Sequence, residues 1–152
     1  MATMDVKLGR DTLVALAAVA WADGAMAPEE ADSLRSAAAQ LGLGPDDRSA
    51  LDDALTKPVD PTLVETIRMN RPTRLFVYAA ATWIAGVDGQ VSREEQAVLS
   101  KLGDRLGLSE KARERARRVA SAVGQVRADS GGYDLLALRS QVEVELVEVG
   151  DD

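Results

Sequence analysis

The chain has no cysteine and no histidine, and aromatic residues make up only 3% of it. Without cysteine there is no disulfide framework, no thiolate nucleophile, no zinc-thiolate site and no iron–sulfur cluster. Without histidine the commonest general base at neutral pH is missing, and so is the commonest transition-metal ligand. A Ser-His-Asp triad is excluded. Any metal must be held by oxygen ligands, which favours calcium or magnesium over zinc or copper. With so few aromatic residues the core falls to Ala, Leu and Val, the composition of close-packed helices. At 152 residues, 46% of them apolar, the chain suits one domain with a single core over 1–152. Its 25 acidic and 18 basic residues give a net charge of −7, unfavourable for nucleic acid or an anionic membrane as main partner.

Residues 7–27 have the outline of a secretory leader: Lys7 and Arg10, then an apolar run, then Ala25-Met26-Ala27. Asp11 interrupts that outline, and the same stretch recurs mid-chain, where no leader can sit. It is therefore read as part of the fold. No apolar run is long enough to span a bilayer as a helix, so no membrane insertion is expected.

Sliding the chain along itself until Asp23 meets Asp88 reveals a gap-free internal repeat. WADGAMAPEEADSLRSAAAQLGL at 21–43 falls on GVDGQVSREEQAVLSKLGDRLGL at 86–108. In that register Gly24 meets Gly89, and Glu29 and Glu30 meet Glu94 and Glu95. The expected fold is an all-α bundle of about seven helices with two pseudo-symmetric helix-turn-helix repeats, at about 10–43 and 75–108. The first helix of each repeat, about 10–22 and 73–87, is apolar on all sides and belongs at the bundle centre.

Several boundary signals refine this reading. Pro28 marks one helix start, and Ser92 with Glu95 forms a capping-box pattern at the other. Gly42 and Gly107 suit left-handed helix ends. Between the repeats, residues 44–72 predict two shorter helices. Asp46 or Asp47 caps the first, and Asp60 with Pro61 starts the second, which ends before Pro72. Ser109 opens a helix running to about Arg127. From Asp134 the tail alternates like a strand at Val142, Val144 and Leu146, but also carries a helical stripe. With no partner strand elsewhere, a final helix capped by Asp134 is expected.

Both repeats carry D-G-x-apolar-x-x-x-E, the second half of a calcium-binding EF-hand loop. The first half is missing, because Val19, Trp21, Ile84 and Gly86 stand where acids would be needed. A conventional EF-hand is excluded. If the two turns meet, Asp23, Glu29, Glu30, Asp88, Glu94 and Glu95 form a self-repelling carboxylate cluster that a divalent cation would neutralise. The competing reading is purely structural. Glutamates in a first helical turn offset the helix dipole or complete capping boxes, and Asp-Gly is a common turn pair. The basic stretch KARERARR at 111–118 reads as a solvated helix face balanced by Glu110 and Glu114, and no nucleic-acid partner is expected. Trp21 and Trp83 read as core.

VALAAVAWADGAMAPEEADSLRSAAAQLGL, with its second copy FVYAAATWIAGVDGQVSREEQAVLSKLGDRLGL, resembles the TerB family of tellurite-resistance proteins. That family is related to the N-terminal domain of the membrane-anchored DnaJ-like co-chaperone DjlA. The resemblance covers most of residues 8–125. It implies a cytoplasmic bacterial protein of stress or tellurite-associated systems, working with protein partners of a stress-response complex. It also implies divalent-cation binding, Ca²⁺ or Mg²⁺, near Asp23, Glu30, Asp88 and Glu95, with Glu29 and Glu94 beside them. The expected function is a non-enzymatic cation-binding scaffold or interaction module. A metal-dependent hydrolase or phosphoryl-transfer enzyme using clustered carboxylates, and a ligand-free interaction bundle, are the alternatives.

Overall fold

A computed structural model describes residues 6, 8–22, 24, 26–85, 92–123 and 134–149, the last four by their backbone alone. Seven α-helices appear among the described residues: α1 Arg10–Ala20, α2 Pro28–Gln40, α3 Pro45–Thr56, α4 Arg71–Ala85, α5 Arg93–Arg105, α6 Glu110–Ala122 and α7 Leu135–Val149. A single 3-10 turn, Pro61–Leu63, lies between α3 and α4, and no strand occurs among the described residues.

The two apolar helices form the centre, as their composition requires. Leu13 and Ala15 to Val19 of α1 are buried, as are Leu75 to Ala81 and Trp83 to Ala85 of α4. Their many alanines let neighbouring helices approach closely. α1 packs on α2 and α3, α4 packs on α5 and α6, and α1 and α4 pack on each other. α7 lies across α6, α4 and α2 and buries Leu135, Leu138 and Val142, the helical stripe of the tail. The Asp134 carboxylate accepts a hydrogen bond from Ala137 N at 3.1 Å, so the expected cap is in place.

The register that sets Asp23 on Asp88 reappears in the element boundaries. It carries the last residue of α1, Ala20, onto the last residue of α4, Ala85. It superposes Pro28–Gln40 of α2 on Arg93–Arg105 of α5 over their whole length, and it carries the start of α3 at Pro45 onto the start of α6 at Glu110. The starts of α1 and α4 and the ends of α3 and α6 do not coincide in that register. Both second helices end in the same reverse turn. Leu43 N donates to Ala38 O and Leu108 N donates to Gly103 O, each at 3.1 Å. Gly42 and Gly107 adopt φ of +72° and +70°, the left-handed conformation this turn requires.

Four boundary expectations need correction. Gly44, not Asp46 or Asp47, is the N-cap of α3; Pro45 takes the first helical position and the two aspartates fall in the first turn, where they face the dipole. The second linker helix is absent. Asp60 does cap a start at Pro61, but only the 3-10 turn forms, and Val64 is extended at ψ 134°. The carbonyls that a helix would use are taken by arginine side chains. Arg105 Nε donates to Val64 O at 2.7 Å, and Arg74 donates to Thr66 O at 2.9 Å and to Met69 O at 3.1 Å. α4 begins at Arg71, with Pro72 inside its first turn, where a missing N–H is harmless. Finally, α6 ends at Ala122, because Val123 turns extended at ψ 130°.

Candidate functional site

The site residues proposed from sequence sit at the starts of α2 and α5. Pro28 and Arg93, the first residues of these helices, stand at the same distance beyond Asp23 and Asp88. Gly24, just after Asp23, adopts φ +89°, which only glycine tolerates easily and which turns the chain sharply between α1 and α2. Asp23 and Asp88 themselves lie outside the described residues, as does Gly89.

The four glutamates occupy the first helical turns. Glu29 and Glu94 are exposed, and Glu30 and Glu95 are half-buried. Glu95 completes the expected capping box. Ser92 N donates to its Oε1 at 2.9 Å, while Glu95 N donates to Ser92 Oγ at 3.1 Å. The first copy differs, because its N-cap is Ala27, which has no side-chain acceptor. Among the described residues, no group of three or more acidic side chains gathers to hold a metal ion. The glutamates therefore cannot form a cation site without further ligands, and Asp23 and Asp88 are the candidates for that role.

The basic stretch of α6 is not the uniformly solvated face its composition suggests. Arg115 is only 3% exposed. The Arg113 guanidinium lies over Gly103 of α5, donating to Leu108 O at 3.0 Å and to the Asp104 carboxylate at 2.7 Å. Arg117 spans Glu110 at 2.6 Å and Glu114 at 3.2 Å, and donates to the buried Tyr78 hydroxyl at 3.3 Å. Burial works against the Arg117 cation, but its bonds to Glu110 and Glu114 outweigh this and hold its pKa above the ordinary value. A cleft of about 410 Å³ opens between α4, α5 and α6, lined by Tyr78, Thr82, Gln96, Leu99, Arg113 and Arg117. It begins one residue beyond Glu95, yet neither Glu94 nor Glu95 lines it.

The tryptophans have split roles. Trp83 is core, while half-buried Trp21 caps the C-terminal end of α1 and donates from Nε1 to Ala54 O at 2.8 Å. That bond ties the end of α1 to α3. Sequence reasoning missed this contact and the arginine-to-carbonyl contacts, because none leaves a spacing pattern.

Comparison with protein families places the chain. The family described as "Protein of unknown function (DUF533)" matches residues 6–120. The chain belongs to the DUF533 family. DUF533 is a TerB-like family, in line with the resemblance seen in the doubled motif. The matched region runs from the residues before α1 into α6, so both Asp-Gly turns fall within it and α7 lies beyond it. No curated protein and no solved structure matches the chain significantly. No helix among the described residues is long and apolar enough to cross a membrane.

Proposed function

We propose that this DUF533 chain is a non-enzymatic helical scaffold that takes up a divalent cation, Ca²⁺ or Mg²⁺, at its paired Asp-Gly turns. The observation that carries the reading is that, in the register of the sequence repeat, the ends of α1 and α4, both ends of α2 and α5, and the starts of α3 and α6 coincide. It gives both turns the same place between a central apolar helix and an acidic helix start. In each turn the glycine follows the aspartate, and a half-buried glutamate, Glu30 or Glu95, stands at the same distance beyond that aspartate. α1 and α4 pack on each other, and the reading further takes the two turns to approach one another. The proposed ligands are Asp23, Glu30, Asp88 and Glu95, with Glu29 and Glu94 supplying flanking negative charge.

Glu95 already accepts a hydrogen bond from Ser92 N through Oε1. A carboxylate has a second oxygen, so capping and ligation are compatible. In this reading the cation neutralises the facing carboxylates and ties the halves together. The setting would be a tellurite- or stress-associated complex in the cytoplasm, where the bundle presents surfaces to protein partners.

Thermal unfolding tests the proposal. A ligand at about 100 times its Kd stabilises the folded state by about 2.7 kcal/mol, which for a domain of this size raises Tm by about 5–10 °C. Metal-stripped protein should show such a rise in millimolar Ca²⁺ or Mg²⁺. The Asp23→Asn, Asp88→Asn double variant should not, since asparagine keeps the turn but loses the charge. An unchanged Tm of the native chain in both cations contradicts the reading.

A further inference from the structure

A cleft of about 420 Å³ lies where the first turns of α4 meet the connection from α5 into α6. Arg71, Arg74, Leu106, Leu108, Ser109 and Ala112 line it, and among the described residues no carboxylate does. In a chain of net charge −7, this cleft carries only positive charge.

Arg74 is pinned to the cleft wall. Its guanidinium donates to Thr66 O at 2.9 Å, to Met69 O at 3.1 Å and to Leu106 O at 2.9 Å. All three partners are neutral carbonyls, so its charge is not met. Each terminal nitrogen of a guanidinium bears two hydrogens, which leaves one on each unspent. Arg71 stands three residues earlier, on the same face of α4, and is exposed. Neither arginine pairs with a carboxylate among the described residues. Ser109 Oγ accepts from Ala112 N at 3.1 Å, so its hydroxyl hydrogen remains to donate. Beside these donors, half-buried Leu108 and Ala112 give the cleft an apolar wall.

The other half of the repeat supplies a comparison. The repeat register carries Gly9, Leu43 and Asp47 onto Arg74, Leu108 and Ala112. Gly9, Leu43 and Asp47 line a cleft of about 260 Å³ together with Arg10, Asp11 and Arg68. Each half thus has a cleft at the corresponding place, and each cleft has two arginines. In the first half two aspartates balance them, and Arg10 reaches Asp11 at 3.3 Å and Asp47 at 3.5 Å. In the second half Ala112 and the core residue Phe76 stand at the positions of those aspartates. The positive charge there is left without its internal partner.

We propose that the cleft between α4 and the α5–α6 connection binds a small organic phosphate, its phosphate group held by Arg71, Arg74 and Ser109 and its apolar body lying on Leu108 and Ala112. A phosphate monoester carries about −1.5 to −2 charge at neutral pH and three acceptor oxygens, which suits two guanidinium groups and a hydroxyl. A carboxylate offers less charge and fewer oxygens. Arg74 is already fixed by its carbonyls, so binding costs it little side-chain entropy. The cleft volume falls in the range that small ligands occupy. This inference goes beyond the cation reading and does not depend on it.

Isothermal titration of metal-stripped protein with phenyl phosphate, in chloride buffer without chelator, tests it. Saturable binding is expected, at least about tenfold tighter than for inorganic phosphate or for benzoate, because one lacks the apolar body and the other the second charge. Arg71→Gln removes an exposed charge, and Ala112→Asp gives this cleft the carboxylate that Asp47 provides in the first half. Both leave the carbonyl bonds of Arg74 in place, so both should fold, as circular dichroism would show. Each should weaken phenyl phosphate binding by at least about tenfold. Arg48→Gln, at an exposed arginine of α3 that does not line the cleft, should leave it unchanged. A native chain that gives no saturable heat with phenyl phosphate overturns the proposal. Equal affinity for inorganic phosphate would assign the cleft to the free ion, equal affinity for benzoate would remove the case for phosphate, and either result overturns it. So does unchanged binding in Arg71→Gln and Ala112→Asp, or an equal loss in Arg48→Gln.

Discussion

Replacing Gly103 with alanine should destabilise the protein or leave it unchanged, although the substitution normally strengthens a helix. Gly103 lies inside α5 and is buried. In an ordinary helix interior, glycine to alanine gains about 1 kcal/mol. Here a Cβ would lie 2.8 Å from Arg113 Cζ and 2.9 Å from Nε, closer than van der Waals contact allows. The guanidinium must move. It then loses its 3.0 Å bond to Leu108 O and its 2.7 Å pair with Asp104. A charge-assisted hydrogen bond to a carbonyl contributes about 1.5–3 kcal/mol. The exposed pair with Asp104 contributes about 0–1 kcal/mol. The loss therefore matches or exceeds the gain. Arg113→Ala removes the obstacle, so Gly103→Ala in that background should be stabilising by about 1 kcal/mol, or about 3 °C in Tm. The four proteins form a double-mutant cycle read by urea unfolding, with an expected coupling of about 1.5–3 kcal/mol. Equal stabilisation by Gly103→Ala in both backgrounds would refute the reasoning. The repeat supplies its own control: in the first half the equivalent positions are Ala38 and Arg48, and that arginine is exposed.

Other positions give independent tests. Ala27→Ser should rebuild in α2 the cap that Ser92 provides in α5, raising stability by about 1 kcal/mol, while Ser92→Ala should lower it by a similar amount, both by urea titration. Leu138→Ala, at a fully buried position of α7, should cost about 2–5 kcal/mol and lower Tm accordingly; a surface-like change would mean that α7 does not complete the core. The Thr62 hydroxyl and amide hold the Asp60 carboxyl below its ordinary value of 3.8. Its stabilising effect is thus present above the unfolded pKa and fades as pH falls through the folded one. A carbon-detected NMR titration should find its midpoint below 3.8, and Thr62→Val should raise it.

The helices of both halves were legible because their cause is local and periodic. Apolar stripes, Pro28, the Ser92–Glu95 box and Gly42 and Gly107 act within a turn or two of chain, and the repeat presents the apolar stripes and the helix-ending glycines twice. The segment after Asp60 was not legible. Its composition allowed a helix, but Arg74 and Arg105 reach across the sequence to claim its carbonyls, and no spacing rule announces such a bond. At the start of α3, Asp is the stronger cap in isolation, yet Pro45 fixes the register and leaves Gly44 at the cap. The basic stretch of α6 misleads for a related reason. Arg113 and Arg115 turn their long stems into the protein, and composition shows only the charge. At the candidate site, sequence placed all four glutamates correctly in first helical turns. It could not divide them into caps and ligands: Glu95 is a cap by geometry, and Asp23 and Asp88 lie outside the described residues.

The central claim is cation binding at the two Asp-Gly turns. Isothermal titration of metal-stripped protein with Ca²⁺, then Mg²⁺ and Mn²⁺, tests it most directly, repeated on the Asp23→Asn, Asp88→Asn variant. The account predicts saturable heat with the native chain and none with the variant. A folded, stable native chain that gives no heat with any of the three cations would contradict it and leave the glutamates as helix caps alone.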